Sequence, residues 1–359
     1  MSFVRQINGA CSIAIHRHPP IGQRHDATLP FGVHSPTMNL SQKILGVDFE
    51  NPTVLASGIM GITASSWRLV AGNGAGAITT KSLWPVEHKG NPNPTIISTE
   101  HWMLNAVGVP DAGPEKAREE IGDFLKDHPI PLIANIIGLS ADEFAAIARA
   151  VAPLKPDFIE VNISTPTFLN LRGKLFAEDE SEATAILKAV KKEIGKIPMF
   201  AKLTPNVLNI GVVAKACVDA GADGITAINT VGPGMAIDLR SRMPILVAHK
   251  GGLSGPALKP IAVRCVAEIY EATGGKVPII GTGGIYTGED AIEMMLAGAS
   301  LVGIGTAVGD RGIDIFSKVC DEMQLWCTNE GVDNVSDLVG GMHEELKKRG
   351  MKGTAMKHT

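Results

Sequence analysis

"PIIGTGGIYTGEDAIEMMLAGASLVGIGT", residues 278–306, is the stretch that decides the fold. It begins and ends with a short β-branched run followed by glycines, and a segment with helical periodicity, 287–297, lies between the two runs. A strand, a helix and a second strand of these lengths predict one parallel βαβ unit. The glycines stand where each strand ends, so the backbone there can approach a ligand closely.

The same unit repeats along the chain from residue 51. The β-branched runs are "TVLASG", "GAITTK", "PLIANI", "FIEVNIS", "MFAKLT", "GITAINT", "PIIGTGG" and "LVGIGT". Helices are predicted at 64–72, 114–126, 141–151, 180–195, 208–220, 256–272, 287–297 and 311–328. Eight units in roughly 280 residues indicate a (β/α)₈ TIM barrel, because a doubly wound sheet usually has fewer strands.

The segments at the two ends of this repeat have different patterns. "MNLSQKILGVDFENP", residues 38–52, predicts a β-hairpin that plugs the N-terminal end of the barrel. Residues 332–349 predict a charged surface helix. Residues 1–37 are rich in Pro, His and Arg, and we interpret them as a flexible N-terminal extension or as sequence upstream of a start at Met38. The barrel domain is therefore assigned to 38–349, and 350–359 to a tail.

Composition excludes several classes of protein. The formal net charge is −4 and the pI about 6.2, so no nucleic-acid surface is indicated. No apolar run approaches the length of a transmembrane helix. The five cysteines are scattered and form no C-x-x-C pair. They favour a reducing compartment, taken to be the cytoplasm, and argue against disulfides, a metal site or an iron–sulfur cluster within the chain.

Polar residues and glycines follow the predicted strands, and in a TIM barrel this end carries the chemistry. Glycines after the last two runs can present backbone N–H groups to a phosphate. Lys81 and Lys202 lie within apolar runs, and because no carboxylate stands at any strand end, we expect an anionic ligand or cofactor to be their partner. Amide side chains can read the alternating C=O and N–H edge of a flat heterocycle. Those at or beside strand ends are Asn105, Asn135, Asn162 and Asn229.

A family resemblance rests on longer motifs. "INTVGPGMAIDLRSRMPILVAHKGGLSGPALKPIAVRCVAEIY", residues 228–270, followed by 278–306, resembles the dihydroorotate dehydrogenases of class 1, and is most similar to the type B catalytic subunit. "NPTVLASG", "TTKS", "NAVG" and "VNIS-x-P" match in the same order. The resemblance covers residues 39–310 and implies an FMN-dependent (β/α)₈ barrel that oxidises (S)-dihydroorotate to orotate in de novo pyrimidine biosynthesis. It also implies a homodimer and a separate FAD and iron–sulfur subunit that passes electrons to NAD.

The resemblance carries roles to individual residues. The catalytic residues would be Thr165 and Lys81, with loss of the C5 proton and transfer of the C6 hydride to flavin N5. The substrate would be bound by Lys81, Asn105, Asn162, Thr167, Asn229 and Thr230. FMN would be bound by Ala56, Ser57, Gly58, Lys81, Asn135, Asn162, Lys202, Gly255, Gly283, Gly284, Gly305 and Thr306.

The loop "STPT", residues 164–167, departs from the family pattern. Class 1 members usually have "SCPN" here, with the cysteine as catalytic base. Thr165 therefore occupies the position of the base, and Thr167 replaces an asparagine that binds substrate. A hydroxyl can serve as the base only if it passes its proton on. This departure supports one alternative, a related flavin oxidoreductase acting on another dihydropyrimidine or cyclic substrate. Two further alternatives are a non-catalytic flavin electron-relay subunit and a phosphate-binding lyase or isomerase without flavin.

Overall fold

The structure is a computed structural model, and it describes residues 4–7, 11–14, 38–165, 176 and 180–351. The chain divides into two units, Met1–Thr37 and Met38–Thr359. In the first unit, β1 (Val4–Ile7) pairs antiparallel with β2 (Cys11–Ala14). The sequence analysis did not predict this short hairpin, and the flexibility of residues 1–37 stays a prediction.

Eight of the sixteen strands described in the second unit form one closed barrel. The sixteen strands are β3 (Gln42–Ile44), β4 (Val47–Phe49), β5 (Thr53–Leu55), β6 (Ala77–Thr79), β7 (Ile96–Ser98), β8 (Met103–Asn105), β9 (Leu132–Ile136), β10 (Phe158–Asn162), β11 (Met199–Leu203), β12 (Gly224–Ala227), β13 (Val231–Gly234), β14 (Ile237–Asp238), β15 (Met243–Pro244), β16 (Gly251–Ser254), β17 (Ile279–Thr282) and β18 (Leu301–Ile304). The barrel order is β5-β6-β9-β10-β11-β12-β17-β18, and each neighbouring pair is parallel. Each predicted run contains one of these strands, so the TIM-barrel prediction is confirmed.

The first and last strands of the barrel meet at a seam. Val302 of β18 pairs with Thr53 of β5, and Ile304 pairs with Leu55. Closure at this seam leaves no free edge in the eight-stranded sheet. It also places the ends of the first and last predicted runs side by side.

The N-terminal end of the barrel is closed by the predicted hairpin. β3 and β4 pair antiparallel, and the Phe49 ring lies 6.0 Å from the ring of Phe158 inside the barrel. Phe158 in turn packs edge-on against Phe200. Buried apolar side chains from the hairpin and the first half of the strands form a cluster of their own: Ile44, Phe49, Val54, Ala77, Ile133, Phe158, Phe200, Ile280 and Leu301. The hairpin plug is therefore confirmed.

A second sheet, which the sequence did not predict, involves two insertions. It is antiparallel and has the order β13-β16-β8-β7. One insertion follows β6 and the other follows β12, and residues of both line the same cavity at the carboxyl end of the barrel. Gly252 on β16 pairs with Asn105 on β8, which brings a predicted substrate-binding asparagine to that cavity.

Helices surround the barrel where the 3.6-residue period predicted them. They are α1 (Ala64–Ala71), α2 (Pro114–Phe124), α3 (Ala141–Val151), α4 (Glu180–Ile194), α5 (Ile210–Asp219), α6 (Lys259–Thr273), α7 (Gly288–Leu296), α8 (Ala307–Arg311), α9 (Ile315–Glu330) and α10 (Gly341–Lys348). Helix α7 shows why the sequence predicts where a helix begins. The Thr287 hydroxyl accepts from the Asp290 N–H, and the Asp290 carboxylate accepts from the Thr287 N–H, forming a capping box.

Two predicted helices differ from those in the structure. The helix predicted over 311–328 is α9, which begins only at Ile315 because Gly312 has a φ of +90°, and the short helix α8 before it was not predicted. The prediction of one helix over 332–349 is wrong: a 3₁₀ turn at Val335–Leu338 precedes α10, and Gly340 between them has a φ of +74°. A left-handed residue cannot continue an α-helix, and glycine adopts that conformation without a Cβ penalty. Among the described residues, no helix has the length and apolar character needed to cross a membrane.

Candidate active site

A cavity of about 450 Å³ opens at the carboxyl end of the barrel. The predicted site residues come from seven barrel strands or the loops after them and from the inserted sheet, yet they converge on this one space. Those that line it are Ala56, Ser57, Gly58, Lys81, Asn105, Asn162, Thr165, Lys202, Asn229, Thr230, Gly255, Gly283, Gly284, Gly305 and Thr306. Asn135 is fully buried behind the wall and does not line the cavity. Thr167 lies outside the described residues, so its predicted role stays a prediction.

Two of the predicted asparagines are joined through Ser164. The Asn162 Oδ1 accepts from the N–H and from the hydroxyl of Ser164, at 3.2 and 2.9 Å, and the Asn162 amide donates to the Ser82 hydroxyl at 3.1 Å. The Asn229 amide donates to Ser164 Oγ at 2.9 Å, and the Thr230 N–H donates to Asn229 Oδ1 at 2.8 Å. These bonds fix which end of each amide is nitrogen. Each Nδ2 keeps a second hydrogen that a ligand acceptor can use.

Lys202 has a carboxylate partner, which the sequence analysis did not expect. Its Nζ lies 3.7 Å from Oε1 of Glu160, and both side chains are buried. Thr226 donates its hydroxyl to Glu160 Oε2 at 2.6 Å, and the Asn135 amide donates to Oε1. The expectation that only an anionic ligand would compensate Lys202 is therefore wrong. Glu160 was missed because it stands two residues before the strand end, although alternation along the strand puts it on the same face as Asn162.

Lys81 also has an acid in its neighbourhood. Asp111 is buried, and its Oδ2 accepts from the Trp84 N–H at 2.8 Å. Burial lowers the pKa of Lys81 below its usual value of 10.5, while the Asp111 charge acts in the opposite direction. Burial likewise raises the pKa of Asp111, against hydrogen bonds from backbone N–H groups and the charge of Lys81. Asp111 follows a loop rather than a strand, so the strand-end pattern could not indicate it.

The glycines that follow β17 and β18 form a part of the cavity wall that has no side chains. Gly283 and Gly284 have φ values of +131° and +74°, which other residues rarely adopt. A Cβ on Gly305 would have only Ala56 and Ile59 within 4 Å, and all three residues line the cavity. Nearby, the Thr306 hydroxyl donates to Ser254 Oγ at 2.9 Å. Backbone N–H groups without side chains in front of them suit a phosphate group.

These residues could hold a flavin nucleotide. The glycines would offer a place for its phosphate, and Lys202 would offer a cation for the part of the ring that gains negative charge on reduction. Asn135 Oδ1 is buried and has no hydrogen-bond partner among the described residues. Unpaired buried acceptors are uncommon in folded proteins, but Asn135 lies behind the cavity wall, so its contact with the flavin stays a prediction.

Comparisons with known proteins agree with this geometry. A family model described as dihydroorotate dehydrogenase matches residues 39–326. The catalytic subunit of dihydroorotate dehydrogenase B (NAD(+)) from Methanocaldococcus jannaschii is 46% identical over 308 residues, which cover 85% of this chain and 98% of that protein. The corresponding subunit from Methanothermobacter thermautotrophicus is 39% identical, covering 85% and 99%.

A solved structure shows the same architecture. It is DHODH from Eimeria tenella in complex with ferulenol, and it superposes with a TM-score of 0.74 at 26% identity. The match covers 88% of this chain and 92% of that chain. The family model spans most of the barrel, and the archaeal relatives match along nearly their whole length. The chain therefore belongs to the dihydroorotate dehydrogenase family.

Proposed function

We propose that this protein catalyses the FMN-dependent oxidation of dihydroorotate to orotate. Oxidation of dihydroorotate in pyrimidine biosynthesis is the activity of the family to which the chain belongs. The observation that carries the assignment to this chain is one cavity lined by both predicted lysines, three of the four predicted asparagines and the glycines that follow the last two strands. Dihydroorotate is an anion with amide edges, which the lysine charges and asparagine donors complement.

FMN is the flavin that the site supports best. Its phosphate would lie against these glycines, and its ring would lie beside the cations and amides. Bound FMN would supply the acceptor for the hydride that leaves substrate C6. The residues proposed to hold it are Ala56, Ser57, Gly58, Lys81, Asn135, Asn162, Lys202, Gly255, Gly283, Gly284, Gly305 and Thr306.

The substrate would be held by donors on the opposite side of the cavity. Asn162 and Asn229 each keep one N–H for a carbonyl or carboxylate oxygen, and Lys81 supplies a positive charge. The remaining proposed contacts are Asn105, Thr167 and Thr230. Because Ser164 fixes both amides, the carboxylate would be bound without reorganisation of the wall.

Thr165 is the proposed proton acceptor for substrate C5. It lines the cavity and only 6% of it is exposed to solvent, so a bound substrate could approach its hydroxyl. A threonine hydroxyl is a poor base near neutral pH, so as it receives the C5 proton it must release its own to water or a neighbour. Loss of this proton and of the C6 hydride leaves the C5=C6 double bond of orotate.

The names of the relatives support NAD as the final electron acceptor. They carry the name catalytic subunit of the NAD(+)-linked enzyme. We infer that a separate subunit with FAD and an iron–sulfur cluster carries electrons from this chain to NAD. A homodimer of this chain and a cytoplasmic location complete the proposal.

Anaerobic titration with dihydroorotate tests the function. The purified protein should be yellow, release FMN on denaturation, and lose its flavin absorbance as dihydroorotate is added. A colourless protein that takes up no FMN would contradict the proposal. So would a flavoprotein that dihydroorotate does not bleach although dithionite does.

A second candidate is a flavin oxidoreductase with another cyclic substrate. Thr165 and Thr167 favour it, because together they remove the usual base and one amide from the substrate side. Parallel titrations with dihydrouracil and dihydrothymine distinguish the two. Faster bleaching by either compound than by dihydroorotate would favour the second candidate.

A further inference from the structure

Glu160 is a buried acid that stands directly behind the cavity. Only 1% of it is exposed, and it does not line the cavity. Its two oxygens face polar groups on three other strands of the barrel: the Asn135 amide on β9, Lys202 Nζ on β11 at 3.7 Å, and the Thr226 hydroxyl on β12 at 2.6 Å. Strand register places these groups together, because Glu160 is the β10 partner of Asn135, and Lys202 is the β11 partner of Thr226.

The arrangement is built for a carboxylate. Asn135 and Thr226 both donate hydrogen bonds to Glu160, and the Lys202 ammonium group places a positive charge beside it. A buried negative charge is stable only when it is paired in this way. Lys202 touches both environments, since it lines the cavity while its ammonium group lies near Glu160. The positive potential that Lys202 presents to a ligand is therefore reduced by a fixed negative charge behind it.

The Asn135 amide is oriented by the same carboxylate. Its Nδ2 donates to Glu160, which leaves Oδ1 as the atom turned away from the acid. That oxygen has no partner among the described residues. Without the carboxylate, nothing in this group of side chains would distinguish the two ends of the amide.

We propose that Glu160 is a positioning residue that sets the reduction potential of the bound flavin. It lowers the effective charge of Lys202 and fixes the orientation of the Asn135 amide. The proposal rests on the proposed function, because the flavin is FMN. A negative charge behind Lys202 makes the anionic reduced flavin harder to form, so Glu160 and Lys202 act on the potential in opposite directions.

The test is the midpoint potential of FMN in the purified holoprotein, measured by spectroelectrochemical titration. Glu160→Gln keeps the size and removes the charge, so the potential should shift in the positive direction. Lys202→Met should shift it in the negative direction. Glu160→Asp keeps the charge and should stay nearer the parent than Glu160→Gln does. Asp219→Asn, which breaks an exposed lysine–aspartate pair on helix α5, should leave the potential unchanged.

A double variant covers the case in which Glu160→Gln does not fold. Glu160→Gln with Lys202→Met removes both charges, and its potential should be more positive than that of Lys202→Met alone. Equal potentials in these two proteins, or an unchanged or more negative potential in folded Glu160→Gln, would overturn the proposal. Absence of FMN from the parent protein would instead refute the proposed function, so the two failures can be distinguished.

Discussion

The Asn229 amide donates a hydrogen bond to the hydroxyl of Ser164, at 2.9 Å, from the loop after β12 to the loop after β10. The Ser164 hydroxyl in turn donates a hydrogen bond to Asn162 Oδ1. One hydroxyl thus couples two amides that both line the cavity, although Ser164 itself is fully buried. Its role is therefore to orient these two side chains.

Ser164→Ala should weaken orotate binding. Loss of one buried hydrogen bond costs about 1 kcal/mol, which corresponds to a roughly 5- to 10-fold higher Kd. The change in flavin absorbance on adding orotate measures this Kd. Ser66→Ala is a matched control, because that hydroxyl donates to the backbone oxygen of Thr63, just before α1, and Ser66 does not line the cavity. Equal orotate affinity in the two variants would contradict the coupling.

Thr165→Ala should retain FMN and orotate but slow flavin reduction by dihydroorotate roughly 100-fold or more, the usual contribution of a positioned base. Thr165→Cys should remain active with a lower pH optimum, because a thiol ionises nearer to neutrality than an alcohol. Anaerobic stopped-flow absorbance across a pH series separates this step from reoxidation. If Thr165→Ala reduces its flavin as fast as the parent, another group removes the C5 proton.

The pKa of Lys81 predicts an alkaline limit for orotate binding. Burial lowers this pKa, and only the ammonium form attracts an anion, so affinity should fall as the pH rises through the lowered pKa. The Asp111 charge raises the pKa of Lys81. Asp111→Asn removes that contribution, so the pKa should fall further and the loss of affinity should begin at a lower pH.

Orotate Kd values measured between about pH 7 and about pH 10 check this order of pKa values, since the range runs from neutrality to just below the ordinary lysine pKa. Lys81→Arg is the control, because a guanidinium keeps its charge across the range and should give a flatter profile. A profile of Asp111→Asn that coincides with the parent, or lies at higher pH, would show that Asp111 does not act on Lys81.

Gly305→Ala should weaken FMN binding about 10-fold or more while leaving the barrel intact. The added Cβ would lie 3.6 Å from the Ala56 Cβ and 3.8 Å from Ile59, which are ordinary contacts. It would also enter the space proposed for the phosphate, where close approach of the backbone is needed. Gly309→Ala, where a Cβ meets nothing within 4 Å, is the control. Isothermal titration of the cofactor-free proteins gives the affinities, and their melting temperatures should agree within a few degrees.

A chain that starts at Met38 should keep its flavin and its melting temperature. The barrel, its plug and all described residues of the cavity lie in the unit that begins there. Thermal unfolding of the full chain and of the shortened chain, both loaded with FMN, makes the comparison. A large decrease in flavin content or melting temperature would show that residues 1–37 support the barrel.

The fold could be predicted from hydrophobic periodicity because each barrel unit contains its own strand and helix patterns. β-branched runs identified the strands, and caps such as Thr287 identified helix starts. The inserted sheet escaped prediction because its short strands lie outside the repeating βα units, and β8 pairs with β16 across a long separation in sequence. Without a helix-period segment after each of them, such strands are not distinguished from loops.

Prediction of the site depended on a different signal. The residues at the strand ends predicted the part of the cavity wall that the barrel strands form, because the carboxyl ends of parallel strands lie at the same end of a barrel. They did not indicate Glu160, Asp111 or Ser164, which act behind the wall or beside it. Whether an acid in an apolar run faces a cation depends on the register of neighbouring strands, and a single sequence does not contain that information.

The seam between β5 and β18 has a consequence for biosynthesis of the enzyme. The first barrel strand leaves the ribosome early, but its partner is among the last to be made. Until then, β5 has an exposed edge that invites pairing with other chains. Ala56 and Ser57 lie on one side of the seam, and Gly305 and Thr306 on the other. The proposed cofactor site would therefore be incomplete on any nascent chain that lacks β18, and we expect FMN to be bound only after nearly the whole barrel has been made.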